Sequence, residues 1–179
     1  MILLDVPVCN NALAPVTGRE MVLFPQSPIP LAGGEGLEAY INSDPAAAER
    51  GSVVAWLADG PIAPISGPIY SVQWSASITL TAGTWVASDI TLRQTLPVGM
   101  WDCVGSRVWT ANGVCFRYVP KGATARPGAA CTSAIQYEGL DDFRRGGLGK
   151  WFSFHSLTPP QVEVLGSTAG AQTVRGILY

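Results

Sequence analysis

The stretch YSVQWSASITLT, residues 70–81, carries the clearest structural signal in the chain. Serine, threonine and glutamine occupy its odd positions, and the even positions hold Tyr70, Val72, Trp74, Ala76, Ile78 and Leu80. Side chains alternate between the two faces of a strand, whereas helical spacing would scatter this apolar set around a cylinder. The pattern therefore predicts a β-strand that buries the even set, Tyr70 included, and turns its polar face away from the core.

Further strand patterns are separated by loops rich in proline and glycine. Residues 84–92 alternate more weakly, and short strand-like runs occur at residues 20–24, 52–58, 150–156, 161–166 and 172–179. The 20 glycines and 14 prolines suit many short strands and turns. We expect one all-β domain over residues 1–179, an antiparallel sandwich or barrel of about eight or more strands. Residues 1–50 are expected to hold an N-terminal arm and the first strands.

The segment LPVGMWDCVGSRVWTANGVCFRYVP, residues 96–120, is interpreted as a β-hairpin. Asn112-Gly113 supplies the positive φ angles that a two-residue type I′ turn requires. The facing pairs would then be Ala111–Val114, Trp109–Phe116 and Arg107–Tyr118, with Cys115 opposite Thr110. This register gives no disulfide between Cys103 and Cys115.

Net charge and apolar run length exclude several classes of function. The formal net charge of −2 gives no general attraction to nucleic acid or to an acidic membrane surface. The start, MILLDVPVCNNALAP, lacks the basic region of a signal peptide, and no apolar run is long enough to span a bilayer. We expect a soluble protein.

Cysteine and histidine spacing gives no metal site. Cys9, Cys103, Cys115 and Cys131 form no CxxC pair, and one histidine cannot complete the usual zinc patterns. Buried free thiols are expected, as suits a reducing cytosol, although four cysteines would also permit two disulfides. No metal or other cofactor is expected.

No catalytic constellation is evident either. The motifs GxSxG, HExxH and GxxxxGK[ST] are absent, and His155 has no nucleophile or acid arranged around it in sequence. In the strand pattern WFSFHS the two phenylalanines share one face, and Trp151, Ser153 and His155 share the other. We expect His155 to be an ordinary strand residue and the protein not to be an enzyme.

Residues 141–161, DDFRRGGLGKWFSFHSLTPPQ, concentrate charge in a chain with 13% charged residues. Asp141-Asp142 could serve as a glycosidase pair, but beside two arginines it is better explained as charge balance in a turn. The RRGGLGK run lacks phosphate-loop spacing, and an aromatic strand pattern follows it where a helix would be needed. We expect a glycine-rich turn that leads into a strand.

Six tryptophans, at positions 56, 74, 85, 101, 109 and 151, leave three uses open. They could fill the core, form a sugar-stacking platform or supply contact area between subunits. A platform requires two or three rings exposed on one face. A non-catalytic, lectin-like β-sandwich that binds carbohydrate is therefore the alternative function.

Residues 53–179 contain a succession of recognisable pieces: VVAWLADG, GPIYSV, LTAGTW, TLPVGMWDCVGS, CFRYVP, ARPG, FRRGGLGKWFSF and TPPQVEVLGS. In these pieces the chain resembles small capsid proteins of icosahedral bacteriophages, in particular the single jelly-roll type of tailless phages with an internal membrane. The likeness is strongest toward the C-terminal end and does not extend to residues 1–50.

The resemblance implies an antiparallel jelly roll that assembles into a shell and carries no catalytic residues. Its partners would be copies of itself, other capsid proteins and an underlying membrane, and its location the virion after synthesis in the host cytoplasm. Arg144, Arg145 and Lys150 are then candidates for pairing with acids on an adjacent subunit, and Trp151 for contact area beside them. Neither terminus carries a basic arm, so direct nucleic-acid binding is not expected, and neither is a small-molecule ligand.

Overall fold

The computed structural model describes residues 32–34, 65–124, 126–131 and 149–179. These segments form ten β-strands and no helix, so the predicted all-β class is confirmed. The strands are β1 (Val72–Leu80), β2 (Trp85–Asp89), β3 (Thr91–Leu92), β4 (Met100–Cys103), β5 (Ser106–Trp109), β6 (Gly113–Val119), β7 (Gly128–Ala130), β8 (Phe152–His155), β9 (Gln161–Gly166) and β10 (Gly170–Leu178). The strands predicted at 20–24 and 52–58 lie outside the described residues.

The strands form three antiparallel groups. Sheet one has the order β3-β1-β10-β5, and sheet two has the order β2-β9-β6-β7. The third group is a two-stranded ribbon of β4 and β8, in which Met100 is opposite His155 and Cys103 is opposite Phe152. Only two residues separate β4 from β5, so one nearly continuous run of chain joins the ribbon to sheet one.

The strand predicted from the alternation of apolar and polar residues is confirmed as β1. Its even positions are buried, with Trp74 only 1% exposed, while its odd positions are exposed or half-buried. The core cluster that these side chains join also contains Phe116, Tyr118, Val162 and Val164 from sheet two and Phe152 and Phe154 from the ribbon. The core therefore lies between the two sheets and extends under the ribbon.

Tyr70 is an exception, and the expectation that it is buried is wrong. It is 57% exposed and precedes the first residue of β1. The partner strand β10 ends at Leu178, opposite Val72, so Tyr70 lies beyond the end of the sheet. Its ring meets Trp101 edge-on, with 5.9 Å between the centroids.

The hairpin predicted over residues 96–120 is also wrong. β5 pairs with β10 in sheet one, whereas β6 pairs with β9 and β7 in sheet two. Asn112-Gly113 therefore lies where the chain crosses from one sheet to the other. Gly113 is needed for space: an added Cβ would be 2.4 Å from Thr110 Cγ2 and 2.8 Å from Val164 Cγ1.

A chain of buried hydrogen bonds joins the two sheets. The indole N–H of Trp74 donates to the Tyr118 hydroxyl at 3.0 Å, and the Ser106 hydroxyl donates to the Ile177 carbonyl at 2.8 Å. The two hydroxyl groups lie 2.7 Å apart, so Tyr118 is left to donate to Ser106. The indole N–H of Trp74 and the hydroxyl groups of Tyr118 and Ser106 therefore all have hydrogen-bond partners. Polar groups paired in this way can be buried without a large loss of stability.

Gly176 allows Trp74 to lie directly over β10. The two residues are opposite each other in the β1–β10 ladder. A Cβ at Gly176 would be 2.4 Å from Trp74 Cζ2 and 2.8 Å from the Arg107 carbonyl oxygen. The indole ring therefore occupies the space that any larger residue at this position would need.

Candidate subunit-contact surface

Two of the four predicted contact residues, Lys150 and Trp151, lie immediately before β8 of the ribbon. Alternation along the ribbon gives it an inner and an outer face. The inner face packs on the core through Trp101, Cys103, Phe152 and Phe154, and the outer face carries Met100, Asp102, Ser153 and His155. Arg144 and Arg145 lie outside the described residues, so their part in a contact stays a prediction.

Lys150 meets an acid of its own chain on the outer face of the ribbon. Its Nζ lies 3.7 Å from Asp102 Oδ1, and the two side chains are 54% and 58% exposed. The Ser153 hydroxyl donates to the same carboxylate oxygen at 2.6 Å. An ion pair this exposed contributes about 0–1 kcal/mol to folding. Lys150 and Asp102 can therefore also pair with charges of a partner subunit without a large loss of folding stability.

Trp151 is only partly available to a partner. It is half-buried and packs against the core, and its backbone N–H donates to the Cys103 carbonyl at 2.8 Å. The residue therefore anchors the start of β8 to β4, and only the exposed part of its ring can contribute contact area.

His155 has a local structural role. Its Nδ1 accepts the backbone N–H of Leu157 at 3.2 Å, and its carbonyl accepts the N–H of Thr158 at 2.8 Å. These bonds close the turn that follows β8. The described part of the chain contains no group of three or more histidine, cysteine, aspartate or glutamate residues arranged to hold a metal ion.

The thiols in the described segments are buried and are not joined in disulfides. Burial raises the pKa of Cys103 from 9.0 to about 12, and its Sγ donates to the Gly105 carbonyl at 3.2 Å. Burial also raises the pKa of the Tyr118 phenol well above its ordinary value. Both groups are protonated at neutral pH, so Cys103 is not poised as a nucleophile. Cys115 and Cys131 are likewise buried and form no disulfide, and Cys9 lies outside the described residues.

Two half-buried tryptophans are each covered by an arginine. The guanidinium of Arg117 lies 4.2 Å from the Trp85 ring centroid and pairs with Glu163, all three residues being on sheet two. Arg107 lies 5.2 Å from the ring of Trp109, on sheet one. Trp85 and Trp109 therefore belong to different sheets and do not combine into one stacking platform for sugar.

Several of these contacts had no signal in the sequence. Arg117–Glu163 and Ser106–Tyr118 each join two strands, and Lys150–Asp102 joins the segment before β8 to β4. The only available hint was a polar residue within an apolar strand, such as Ser106 or Tyr118, which must find a partner when buried. Which residue supplies that partner depends on the sheet order.

Comparisons with known proteins give no relative from which a function could be transferred. No family model, no curated protein and no solved structure matches the chain. Within the segments that the structure describes, no helix has the length and apolar character to cross a membrane. Strand connections and surface chemistry are therefore the grounds on which a function can rest.

Proposed function

We propose that this chain is a capsid subunit with a jelly-roll fold, which self-assembles into an icosahedral shell. The observation that carries this proposal is the nesting of four antiparallel ladders. The shell would be that of a bacteriophage with an underlying membrane, consistent with the resemblance found in the sequence.

The nesting becomes clear when β4 and β5 are counted as one strand interrupted by two residues. The first described strand then pairs with the last, β1 with β10, and the second with the second last, β2 with β9. Further in, β4 pairs with β8, and β6 pairs with β7. One long antiparallel hairpin contains these four pairings, and rolling such a hairpin up produces a jelly roll.

Two further ladders supply the rolling. β10 pairs with β5, and β9 pairs with β6. In sheet one the outer pair β1–β10 therefore lies beside the inner pair β4/β5–β8, and in sheet two the outer pair β2–β9 lies beside the inner pair β6–β7. With β4 and β5 joined, sheet one is β1-β10-β4/β5-β8, flanked by the short β3, and sheet two is β2-β9-β6-β7. Eight strands in two sheets of four are the arrangement expected of a jelly roll.

Viral capsid proteins, lectins and cupins all use jelly rolls, so the function must be argued from the surface. A cupin metal site requires several histidine ligands, and this chain has one histidine. Only 13% of its residues are charged, where about 25% is usual for soluble domains. Few charges suit a protein that buries much of its surface against neighbours, as shell subunits do.

The proposed partners are copies of the same chain, other capsid proteins and an underlying membrane, with the virion as the location. The net charge of −2 gives no reason for direct genome contact. No cofactor or catalytic residue enters this function.

The test is the size of the purified full-length protein as its concentration rises. Sedimentation and electron microscopy should show discrete shells of uniform diameter, alone or with its companion capsid proteins. A protein that stays monomeric under both conditions would contradict the proposal. Glycan-array binding by such a monomer would support the lectin-like alternative, because that function needs no assembly.

A further inference from the structure

We propose that the outer face of the β4–β8 ribbon is a two-fold contact with a second copy of this chain. The inference names one contact of the proposed shell and so rests on the proposed function. It identifies the acid that meets Lys150 across that contact as Asp102 of the partner subunit.

One end of the ribbon's outer face is apolar and exposed within the described segments. Val98, Met100 and Leu157 are 73%, 67% and 68% exposed, the highest values among the exposed large hydrophobic residues of the described segments. The Ser156 N–H donates to the Gly99 carbonyl at 3.0 Å, just beyond the Met100–His155 pair. Val98 precedes Gly99 and Leu157 follows Ser156, so this hydrogen bond brings their backbones close together. Three exposed apolar residues at neighbouring backbone positions are typical of an interaction site.

The other end of the same face is polar and electrically balanced. It carries Asp102, Ser153 and Lys150, one acid and one base. An anionic lipid surface would select several basic residues around the apolar group, and among the described residues of this face Lys150 is the only lysine or arginine. A protein surface that bears one charge of each sign is the better match, and the ribbon face itself is such a surface.

A two-fold axis parallel to the strands makes the face complementary to itself. The rotation places β4 of one copy against β8 of the other. Positions along the strand direction do not change, so each cross-strand pair of the ribbon faces the same pair of the partner subunit. Val98 then meets Leu157 of the partner subunit, and Met100 meets the partner's His155. Asp102 lies beside the partner's Lys150, and the symmetry supplies each of these contacts twice.

The size of the face predicts the strength of the contact. A ribbon of two four-residue strands offers far less than the roughly 800 Å² per partner of a standard stable interface. The contact is therefore weak in solution and becomes effective when a shell repeats it many times.

The experiment measures self-association of the full-length protein by sedimentation, using two charge reversals that are complementary in trans. Asp102→Lys and Lys150→Asp should each weaken self-association by about tenfold or more, because like charges then face each other across the axis. An equimolar mixture of the two variants should restore association, since the two lysines of one chain then face the two acids of the other. Lys121→Asp, a reversal of the same kind on an exposed turn, should associate like wild type.

A second pair of variants tests the apolar end. Val98→Ser and Leu157→Ser should fold normally, because both side chains are exposed, and should also associate about tenfold more weakly. Charge reversals that leave association unchanged, or folded reversals whose mixture does not associate, would overturn the proposal. So would a monomeric wild type that floats with phosphatidylcholine vesicles, with or without phosphatidylglycerol, and loses this binding in Leu157→Ser.

The outcome separates this inference from the proposed function. Shells that form equally well from all the variants would overturn the two-fold contact and leave the capsid function intact. Dimers that obey the mixing rule but never build shells would support the contact and contradict the capsid function.

Discussion

Trp74 of sheet one and Tyr118 of sheet two meet edge to face in the core, with their ring centroids 6.1 Å apart and a 3.0 Å hydrogen bond from the indole to the phenol. The contact joins the two sheets at a point where both side chains are almost completely buried. It is therefore both a packing contact and a polar one, and the two parts can be separated by substitution.

Tyr118→Phe should destabilise the fold by about 1–3 kcal/mol, because it keeps the ring but removes the acceptor of the buried Trp74 N–H. The measurement is the free energy of unfolding in urea. Tyr70→Phe is the matched control and should change it by no more than about 0.5 kcal/mol, since Tyr70 is exposed. Equal effects of the two substitutions would mean that the Trp74–Tyr118 bond does not contribute.

Stability should fall as the pH rises from 9 toward 12. The folded-state pKa of Cys103 is raised from 9.0 to about 12, so the folded chain keeps a proton that the unfolded chain has lost. The contribution of the Cys103 thiol to folding stability is complete below pH 9 and is lost as the pH rises from 9 toward 12. The raised pKa of Tyr118 makes stability fall with pH in the same direction. Urea unfolding of Cys103→Ala should show a shallower decline than wild type; identical slopes would contradict this assignment.

Gly176→Ala should destabilise the fold by about 1–3 kcal/mol, and more if the Trp74 ring cannot shift, because the new methyl group overlaps that ring. Thermal unfolding is a sufficient measurement. Gly33→Ala is the control, since an added Cβ there meets nothing within 4 Å. A Gly176 variant as stable as the control would show that β10 can move away from the indole.

Arg117→Lys should cost about 0.5–1 kcal/mol even though it preserves the charge. The guanidinium both stacks on Trp85 and pairs with Glu163, and the lysine ammonium cannot do both in the same geometry. Both partners are partly exposed, which keeps the effect small. Unfolding at low and at high salt should separate the stack from the ion pair; a lysine variant equal to wild type in both would leave no role for the stack.

Replacing both Arg144 and Arg145 with alanine should leave the subunit folded and prevent shell assembly. If the two arginines are exposed in a turn, as the sequence predicts, they contribute about 0–1 kcal/mol to folding, whereas a desolvated contact between subunits can lose about 2–5 kcal/mol. The comparison is melting temperature against particle yield. Normal shells would make the segment an ordinary surface turn, and an unfolded subunit would make it part of the fold.

Much of the strand content could be predicted because the residues of each strand themselves carry its pattern of apolar and polar positions. Strict alternation over residues 72–80 gave β1, and the short apolar run at 161–166 gave β9. Each pattern depends on which face of a single strand is buried. For the same reason the prediction extended too far at Tyr70, where the alternation continues but the partner strand does not.

Strand partners and ion pairs were not predictable, because they depend on residues far away in the chain. Asn112-Gly113 has the composition of a tight turn, yet β6 finds its partner in β9, and β5 finds its partner in β10. A sandwich must cross between sheets somewhere, and a short polar segment serves a crossing as well as a turn. Lys150 was expected to seek an acid on another subunit, and an acid of its own chain, Asp102, also lies beside it.

The pairing of β1 with β10 along the full length of both strands has a kinetic consequence. Trp74 enters the core from β1, but the glycine over which its ring lies belongs to β10, so that side of the core cannot close until the ribosome has delivered β10. Folding dominated by such distant pairings takes milliseconds to seconds in domains of this class. Nascent chains therefore expose the apolar face of β1 until β10 emerges, and association between incomplete chains competes with folding during that interval.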